Sequence, residues 1–565
     1  MHRISSVCIA AGFLSQTLAT GVVEFPLSKR DASGAQSDIA RGMLVKRDPS
    51  TVEESVYDVL TWSNGGAYYT NVSVGTPPQI QTVILDTGSS DLYFDARSAS
   101  ACTEPRTDSN SCRGGTFDSS SSSTYKTTIT GGFNTSFGDG STATGDFGTD
   151  VVQIGDVSLQ NVQFGVARDV DSTTGFAIGL MGLGYSFNEA SENIYPNMPE
   201  VLVDAGAINS RLYSVFLNDV GDATGTILFG GVDTSKYTGD LTTLDLIPQG
   251  IETTDGETVN YVYEFVVAVT ALSTTANGKT TSVFSSGDAS GQSYQNTLPV
   301  LLDTGSAAWT VPSSIYADVA ALIPNLDDYG NCPCASADAD ISLTLTFGAA
   351  VPITVPVRDL VVPVYDAQTN VQNQTTNGEP LCTFMLSPGQ ENEDQPFLTL
   401  GDAVLRSMYV VFDLDNGQVS LAQAAVNTST SASTSAAGSS VKIVPKGPGG
   451  LAKALGSSAV KSAAGNSYSI APMVSTTANF ALSTVGTAVG TATGTAAIPT
   501  EAAVSGTVGS GSGGNGGTAT TAGASASSSK KGAAAAVRVP VFEGAGIVLG
   551  LVVLGGMGLG GALAI

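Results

Sequence analysis

Two short segments of this chain carry a carboxylate in the same setting. Val83-Ile84-Leu85-Asp86-Thr87-Gly88-Ser89 returns as Val300-Leu301-Leu302-Asp303-Thr304-Gly305-Ser306. Carboxylates held a few ångströms apart cannot both ionise easily, so one stays protonated as an acid while the other acts as a base. Such a pair can hydrolyse a peptide bond, which needs an activated water and a proton for the leaving nitrogen. A lone Asp-Thr-Gly is an ordinary turn. Here each copy has a partner at matched spacing: Gly179-Leu180-Met181-Gly182 ends 96 residues after Asp86, and Leu398-Thr399-Leu400-Gly401 ends 98 after Asp303. The duplication predicts two homologous lobes, each bringing one Asp.

Composition removes the rival chemistries. The only histidine is His2, inside a stretch that reads as a removable leader. A mature chain without histidine excludes Ser-His-Asp and Cys-His catalysis and any His-ligated metal site. No cofactor and no metal is expected. Residues 48–426 hold ten Lys+Arg against forty-five Asp+Glu, a net charge of −35. A body that acidic repels phosphate backbones, which argues against nucleic acid as a partner.

The elements that must position the two Asp residues read almost entirely as β. Tyr68–Gly75, Thr82–Leu85, Phe147–Ile154, Tyr213–Leu217, Gly225–Gly230, Tyr261–Val269, Ile341–Phe347 and Tyr409–Leu414 are β-branched or aromatic runs bounded by turn residues. Helical pattern is confined to short pieces such as Met198–Ala205 and Ser313–Ile323. The fold class expected is all-β and bilobal, with an N-terminal lobe over residues 48–235 and a C-terminal lobe over 236–426.

Outside the lobes the chain changes character. Residues 1–19 read as a secretory signal, with Arg3, an apolar Val7–Leu14 and a small-residue end at Leu18-Ala19. Dibasic pairs at Lys29-Arg30 and Lys46-Arg47 mark a propeptide over 20–47. Residues 427–531 are dominated by Ser, Thr, Ala and Gly, a composition that cannot bury enough apolar surface to fold and suits an O-glycosylated stalk. Residues 532–565 end in an uncharged, glycine-rich apolar stretch from Gly544. Its length would span a bilayer as a helix. Eight glycines there and the small residues upstream favour a glycolipid (GPI) anchor signal instead.

Over about Tyr68–Gln423 the sequence resembles the pepsin-like aspartic proteases, specifically the yapsin-like cell-surface branch of fungi. The resemblance rests on both Asp-Thr-Gly-Ser motifs and on Gly75-Thr76-Pro77-Pro78-Gln79 before the first. Further support comes from Phe117-Asp118 through Ser122-Ser123-Thr124-Tyr125, from Leu400-Gly401-Asp402, and from Tyr409-Val410-Val411-Phe412-Asp413-Leu414-Asp415. It implies an aspartic endopeptidase, made as a zymogen, monomeric, acting at acidic pH on protein or peptide substrates near basic residues. It also implies a place at the outer face of the plasma membrane or in the cell wall. The alternatives are a binding protein that keeps the fold without useful activity and a structural wall mannoprotein.

The resemblance makes Asp86 and Asp303 the catalytic carboxylates. Thr87 and Thr304 are expected to hydrogen-bond reciprocally beneath them. Gly88 and Gly305 admit backbone N–H groups to the carboxylates, and Ser89 and Ser306 donate to the outer oxygens. The flap is the hairpin around Phe137-Gly138-Asp139-Gly140-Ser141. Two positions depart from the family. Phe137 stands where Tyr is usual and Tyr93 where Trp is usual, so either the Tyr93 hydroxyl partly replaces the missing one or the aromatic packing is co-adjusted. Asp139 reads as a carboxylate over the pocket for a basic residue or as a hairpin-turn residue. Family position pairs Cys102 with Cys112 and Cys334 with Cys382, leaving Cys332, although Cys332 and Cys334 could exchange roles. Sequons at Asn71, Asn134, Asn373 and Asn427 are candidate N-glycan sites.

Overall fold

The computed structural model describes the backbone of residues 23–28 and, apart from short loops, residues 67–463, together with 474–475. The gaps fall at 104–111, 156, 173–176, 192, 220–223, 253–257, 286–296, 366–370, 390–396 and 427–439. The expected signal, the dibasic pairs, the anchor signal and Asn427 lie outside the described residues.

Strands dominate, with only short helices such as Met198–Asp204 and Ser313–Ala320. Alternation decides which strands lie at a surface. Ile341–Phe347 and Val351–Pro356 bury every other residue, as a pleated pair with one wet face must. The strands leading to the two Asp residues are buried more completely. Leu298–Leu302 has no exposed residue, so it runs through the middle of its sheet.

Each lobe is a β-sheet built around its Asp strand. In the N-terminal lobe the order is Tyr69–Val74, Gln79–Asp86, Gly179–Gly182, Leu92–Asp95, Val157–Asp171, Thr142–Ile154, Lys126–Ser136. In the C-terminal lobe Val266–Ala276, Leu298–Leu302, Leu398–Leu400, Trp309–Pro312 and Leu386–Gly389 lie side by side. The two cores repeat one another. Gln79–Asp86 runs parallel to Gly179–Gly182, placing Asp86 opposite Gly182, and Leu298–Leu302 runs parallel to Leu398–Leu400. In both, the strand that follows the Asp turn pairs antiparallel on the far side. The matched glycines have a packing reason. A Cβ on Gly182 would stand 2.4 Å from Ser90 C, and one on Gly401 2.3 Å from Ser306 O, so the turn after each Asp closes only over glycine.

A third sheet joins the lobes. Its order is Val23–Ser28, Thr224–Phe229, Leu212–Phe216, Met408–Asp413, Gln418–Ala424, Tyr237–Asp245, Val460–Ser462. The strand at one edge comes from the expected propeptide and the strand at the other from the expected stalk. On one side, Phe265, Tyr213 and Phe412 pack ring to ring, with centroids 4.6 and 5.0 Å apart.

Two stretches differ from the sequence reading. Tyr261–Val269 is not one strand. Pairing ends at Tyr261 and resumes at Val266, because Phe265 turns into the aromatic cluster of Tyr185, Tyr213 and Phe412. Residues 440–463, grouped by composition with the stalk, carry the strand Val441–Ile443, the helix Gly450–Leu455 and the strand Val460–Ser462. Val444 and Leu451 are buried against Leu212, Phe216, Val232, Leu241, Tyr409 and Val411 on the outer face of the joining sheet. Average composition hid these few apolar residues within a polar stretch.

Candidate active site

Asp86 is the last residue of its strand and Asp303 follows Leu302 directly. Both side chains are buried. The turn after each folds its own donors back onto the carboxylate. Gly88 N–H donates to Asp86 Oδ1 at 2.7 Å and the Ser89 hydroxyl donates to Oδ2. Gly305 N–H donates to Asp303 Oδ1 at 2.8 Å and the Ser306 hydroxyl to Oδ2 at 2.7 Å.

Beneath the carboxyls the two turns interlock. Thr87 N–H donates to Thr304 Oγ1 at 3.1 Å, and Thr304 N–H donates to Thr87 Oγ1 at 3.0 Å. Each hydroxyl then donates across to the other lobe, Thr87 to Leu302 O and Thr304 to Leu85 O, both at 2.8 Å. These are buried bonds between residues more than 200 positions apart, and they hold the two Asp turns in one geometry.

The glycines measure how close the carboxyls come. A Cβ on Gly88 would stand 2.6 Å from Asp303 Oδ1, and one on Gly305 2.5 Å from Asp86 Oδ1. Each glycine therefore leaves room for the opposite lobe's carboxyl. Burial first, and then the Asp303 charge, push the Asp86 carboxyl well above the usual range, against the opposing pull of Ser89 and Gly88. Asp86 thus holds a proton more tightly than an isolated carboxyl would.

The expected flap falls in the hairpin of Lys126–Ser136 and Thr142–Ile154. Phe137 N–H donates to Ser141 O and Gly140 N–H to Phe137 O, both at 2.9 Å, closing the tip. Gly140 takes φ +88°, which a side chain would resist. A Cβ on Gly138 would meet nothing within 4 Å, so that position is open. The Asp139 carboxylate accepts from Ser141 N–H and from the Ser141 hydroxyl, both at 2.8 Å. Phe137 lies 6.3 Å from the Tyr93 ring, centroid to centroid. The Tyr93 hydroxyl donates to Ile178 O at 3.3 Å, and the Phe137 ring packs against the cluster that holds Tyr93.

Disulfides join Cys102 to Cys112 and Cys334 to Cys382, and Cys332 is a buried free thiol. Asp95 with Cys102 and Cys112 forms a group of metal-ligand type among the described residues, but both sulfurs are committed to the disulfide. Of the sequons, Asn134 is exposed on the flap hairpin, Asn71 accepts from Thr82 Oγ1 at 2.7 Å, and Asn373 is half-buried.

Several supporting residues gave no local signal. Asp91 accepts from the Tyr195 hydroxyl at 2.6 Å and from Ala190 N–H at 2.7 Å, bracing the first Asp turn. Arg406, fully buried, donates to Tyr68 Oη and to Asp359 O, both at 3.2 Å, and so ties the N-terminal lobe to the C-terminal one. Asp91 lies five residues past Asp86 and could have been flagged. Its partner Tyr195 lies more than a hundred residues away.

Two pseudo-symmetric sheets, one carboxyl from each and a hairpin flap define a bilobal, two-carboxylate peptidase. The chain belongs to the eukaryotic aspartyl protease family, whose family model matches residues 67–424. It is 36% identical over 408 residues to the probable aspartic-type endopeptidase opsB of Aspergillus oryzae, covering 70% of this chain and 75% of that one. It is 32% identical over 377 residues to the aspartic proteinase yapsin-3 of Saccharomyces cerevisiae, covering 64% and 66%. To candidapepsin of Candida tropicalis it is 33% identical over 370 residues, covering 65% and 82%. The chain is accordingly an aspartic endopeptidase.

Proposed function

We propose that Asp86 and Asp303 are the catalytic pair of this endopeptidase and that it works at acidic pH on extended peptides. One carboxyl holds a proton for the leaving nitrogen and the other takes a proton from the attacking water. The observation that carries this reading is the reciprocal fit of Gly88 against Asp303 and of Gly305 against Asp86. The threonine bonds beneath allow this approach without reorganisation.

A preference for Lys or Arg near the scissile bond is supported by Asp139 at the flap tip and by the −35 charge of residues 48–426. The two bonds Asp139 accepts from Ser141 leave lone pairs on its oxygens, so the turn role and substrate recognition are compatible. Secretion as a zymogen, followed by tethering at the cell surface, is supported by the leader, the dibasic pairs and the apolar end. The two disulfides suit an oxidising compartment. Among the described residues no helix is long and apolar enough to cross a membrane.

The test is peptide cleavage against pH, with Asp86→Asn and Asp303→Asn beside the wild type. Each substitution is expected to lower kcat by about a thousandfold or more, on the scale of losing an essential acid or base. Activity surviving in either variant would reject the assignment. Asp139→Thr is expected to lower the Lys-over-Leu preference at one peptide position.

A further inference from the structure

The hairpin that holds the expected flap has two unlike faces. In its register Phe133 stands opposite Gly145, Asn134 opposite Thr144, Thr135 opposite Ala143 and Ser136 opposite Thr142. Successive residues of a strand point to opposite faces of the sheet, and cross-strand partners share a face. Phe133 and Ala143 therefore lie on one face, where they pack with Phe137 in the cluster of Tyr93 and Leu180. Tyr93 is within electrostatic reach of Asp86, so this face is turned toward the two Asp residues. Asn134, Ser136, Thr142 and Thr144 make the other face, which is entirely polar. It continues onto Asp169 and Asp171 of the next strand, both exposed.

The same hairpin ends its sheet. Lys126–Ser136 is the last strand of the N-terminal sheet, and no strand among the described residues pairs with its outer side. An open edge invites pairing with another chain unless a charge, a proline, a bulge or a cover prevents it. The first half of the strand has such devices, with Lys126 at its start and shifts of register between Thr127 and Phe133. The second half, Phe133-Asn134-Thr135-Ser136, pairs regularly and has no charge, proline or bulge. It does hold a sequon, Asn134-Thr135-Ser136. Of the three sequons within the described residues, those at Asn71 and Asn373 have a half-buried asparagine, and only Asn134 is exposed.

We propose that Asn134 carries an N-linked oligosaccharide that covers the outer face and open edge of this hairpin and so prevents strand pairing between copies of the chain. The proposal rests on the secretion reading, because the sugar donor is met in the secretory pathway. The donor is an oligosaccharide held on a lipid diphosphate. Asn134 Nδ2 attacks its C1, the C1–O bond breaks and the diphosphate leaves, while Nδ2 gives one proton to solvent as the N-glycosidic bond forms. A bulky, hydrated group on the polar face closes the edge to a second strand. The opposite face stays free to pack on Tyr93 and to move over the cleft. The cover matters most in acid. The −35 charge of residues 48–426 keeps copies apart at neutrality, and protonation of the carboxylates removes much of that repulsion.

The test expresses the full chain in a eukaryotic host, with Asn134→Gln, Ser136→Ala and Ser136→Thr beside the wild type, and maps glycopeptides by mass spectrometry. Arrival at the cell surface or in the medium with the leader removed checks the secretion reading. A chain retained inside with its leader overturns that reading and the proposal with it. On an exported chain, Asn134 is expected to hold the sugar in the wild type and in Ser136→Thr, which keeps the sequon. A bare Asn134 there overturns the proposal alone. Asn134→Gln and Ser136→Ala should lose monomer several times faster than the other two when concentrated at acidic pH, read by size-exclusion chromatography. Equal loss in every variant would show that the sugar protects no edge. Removing the sugar enzymatically from the folded wild type should bring on the same association and leave kcat/KM for a short peptide unchanged. A changed kcat/KM would put the sugar on the cleft side and reject the assignment of faces.

Discussion

At the scale of single residues, the site depends on groups that serve the opposite lobe. Thr304 accepts from Thr87 N–H and donates to Leu85 O, so its hydroxyl satisfies two buried backbone groups of the N-terminal lobe. Thr304→Val strands both. The expected loss is about 2–4 kcal/mol of stability, since each unsatisfied buried group costs roughly 1–3 kcal/mol. Equilibrium urea unfolding measures it, and kcat should fall with it while Thr304→Ser restores both. A Val variant as stable and active as wild type would show that the lobes register without this exchange. Gly305→Ala is a sharper perturbation of chemistry, because its Cβ would meet Asp86 Oδ1 at 2.5 Å. Its kcat is expected to drop at least about a hundredfold, the scale on which ångström misplacement acts.

At the scale of elements, the segment 440–463 is part of the folded body. Its strand Val460–Ser462 extends the joining sheet beside Tyr237–Asp245, and Leu451 and Val444 seal an apolar face of that sheet. Leu451→Ala should cost about 2–3 kcal/mol, the lower part of the range for buried leucines, given that Leu451 lies near the rim. A chain ending at 426 should therefore melt several degrees below one ending at 463, with both retaining the two Asp turns. Equal melting temperatures would mean that the segment is an ornament of the sheet. The strand Val23–Ser28 sits at the other edge, against Thr224–Phe229, so both edges of the joining sheet are covered by chain from outside the family-matched region.

For the whole molecule, buried carboxyls set how stability follows pH. Burial raises Asp91 to about 6, Asp95 to about 7 and Asp413 to about 6. Both Asp95 oxygens lack a hydrogen-bond partner among the described residues. These groups bind protons more tightly folded than unfolded. Their contribution is complete below about pH 4 and is lost as pH rises through 6 to 7. Repulsion within a body of net charge −35 acts in the same direction. Thermal melting is thus expected to be highest in acid and to fall steadily toward neutrality, with a shallower fall in Asp95→Asn. A melting temperature that is flat or rising between pH 4 and 8 would refute this ionisation balance.

The sequence by itself determined the class of enzyme and the class of fold. Asp-Thr-Gly-Ser occurs twice, each copy with its apolar partner ending in glycine, and the pattern is local, so it survives without coordinates. The β-rich reading followed from runs such as Ile341–Phe347, whose period of two is a property of the chain alone. What only the tertiary structure decided are contacts between distant residues. These include the bonding of Asp91 to Tyr195, the bridge from Arg406 to Tyr68, and the folding of 440–463 onto the joining sheet. The physical reason is the same in each case. Such a contact is set by packing and by the desolvation of groups brought together across the fold, and neither local propensity nor composition encodes which distant partner a buried group will meet.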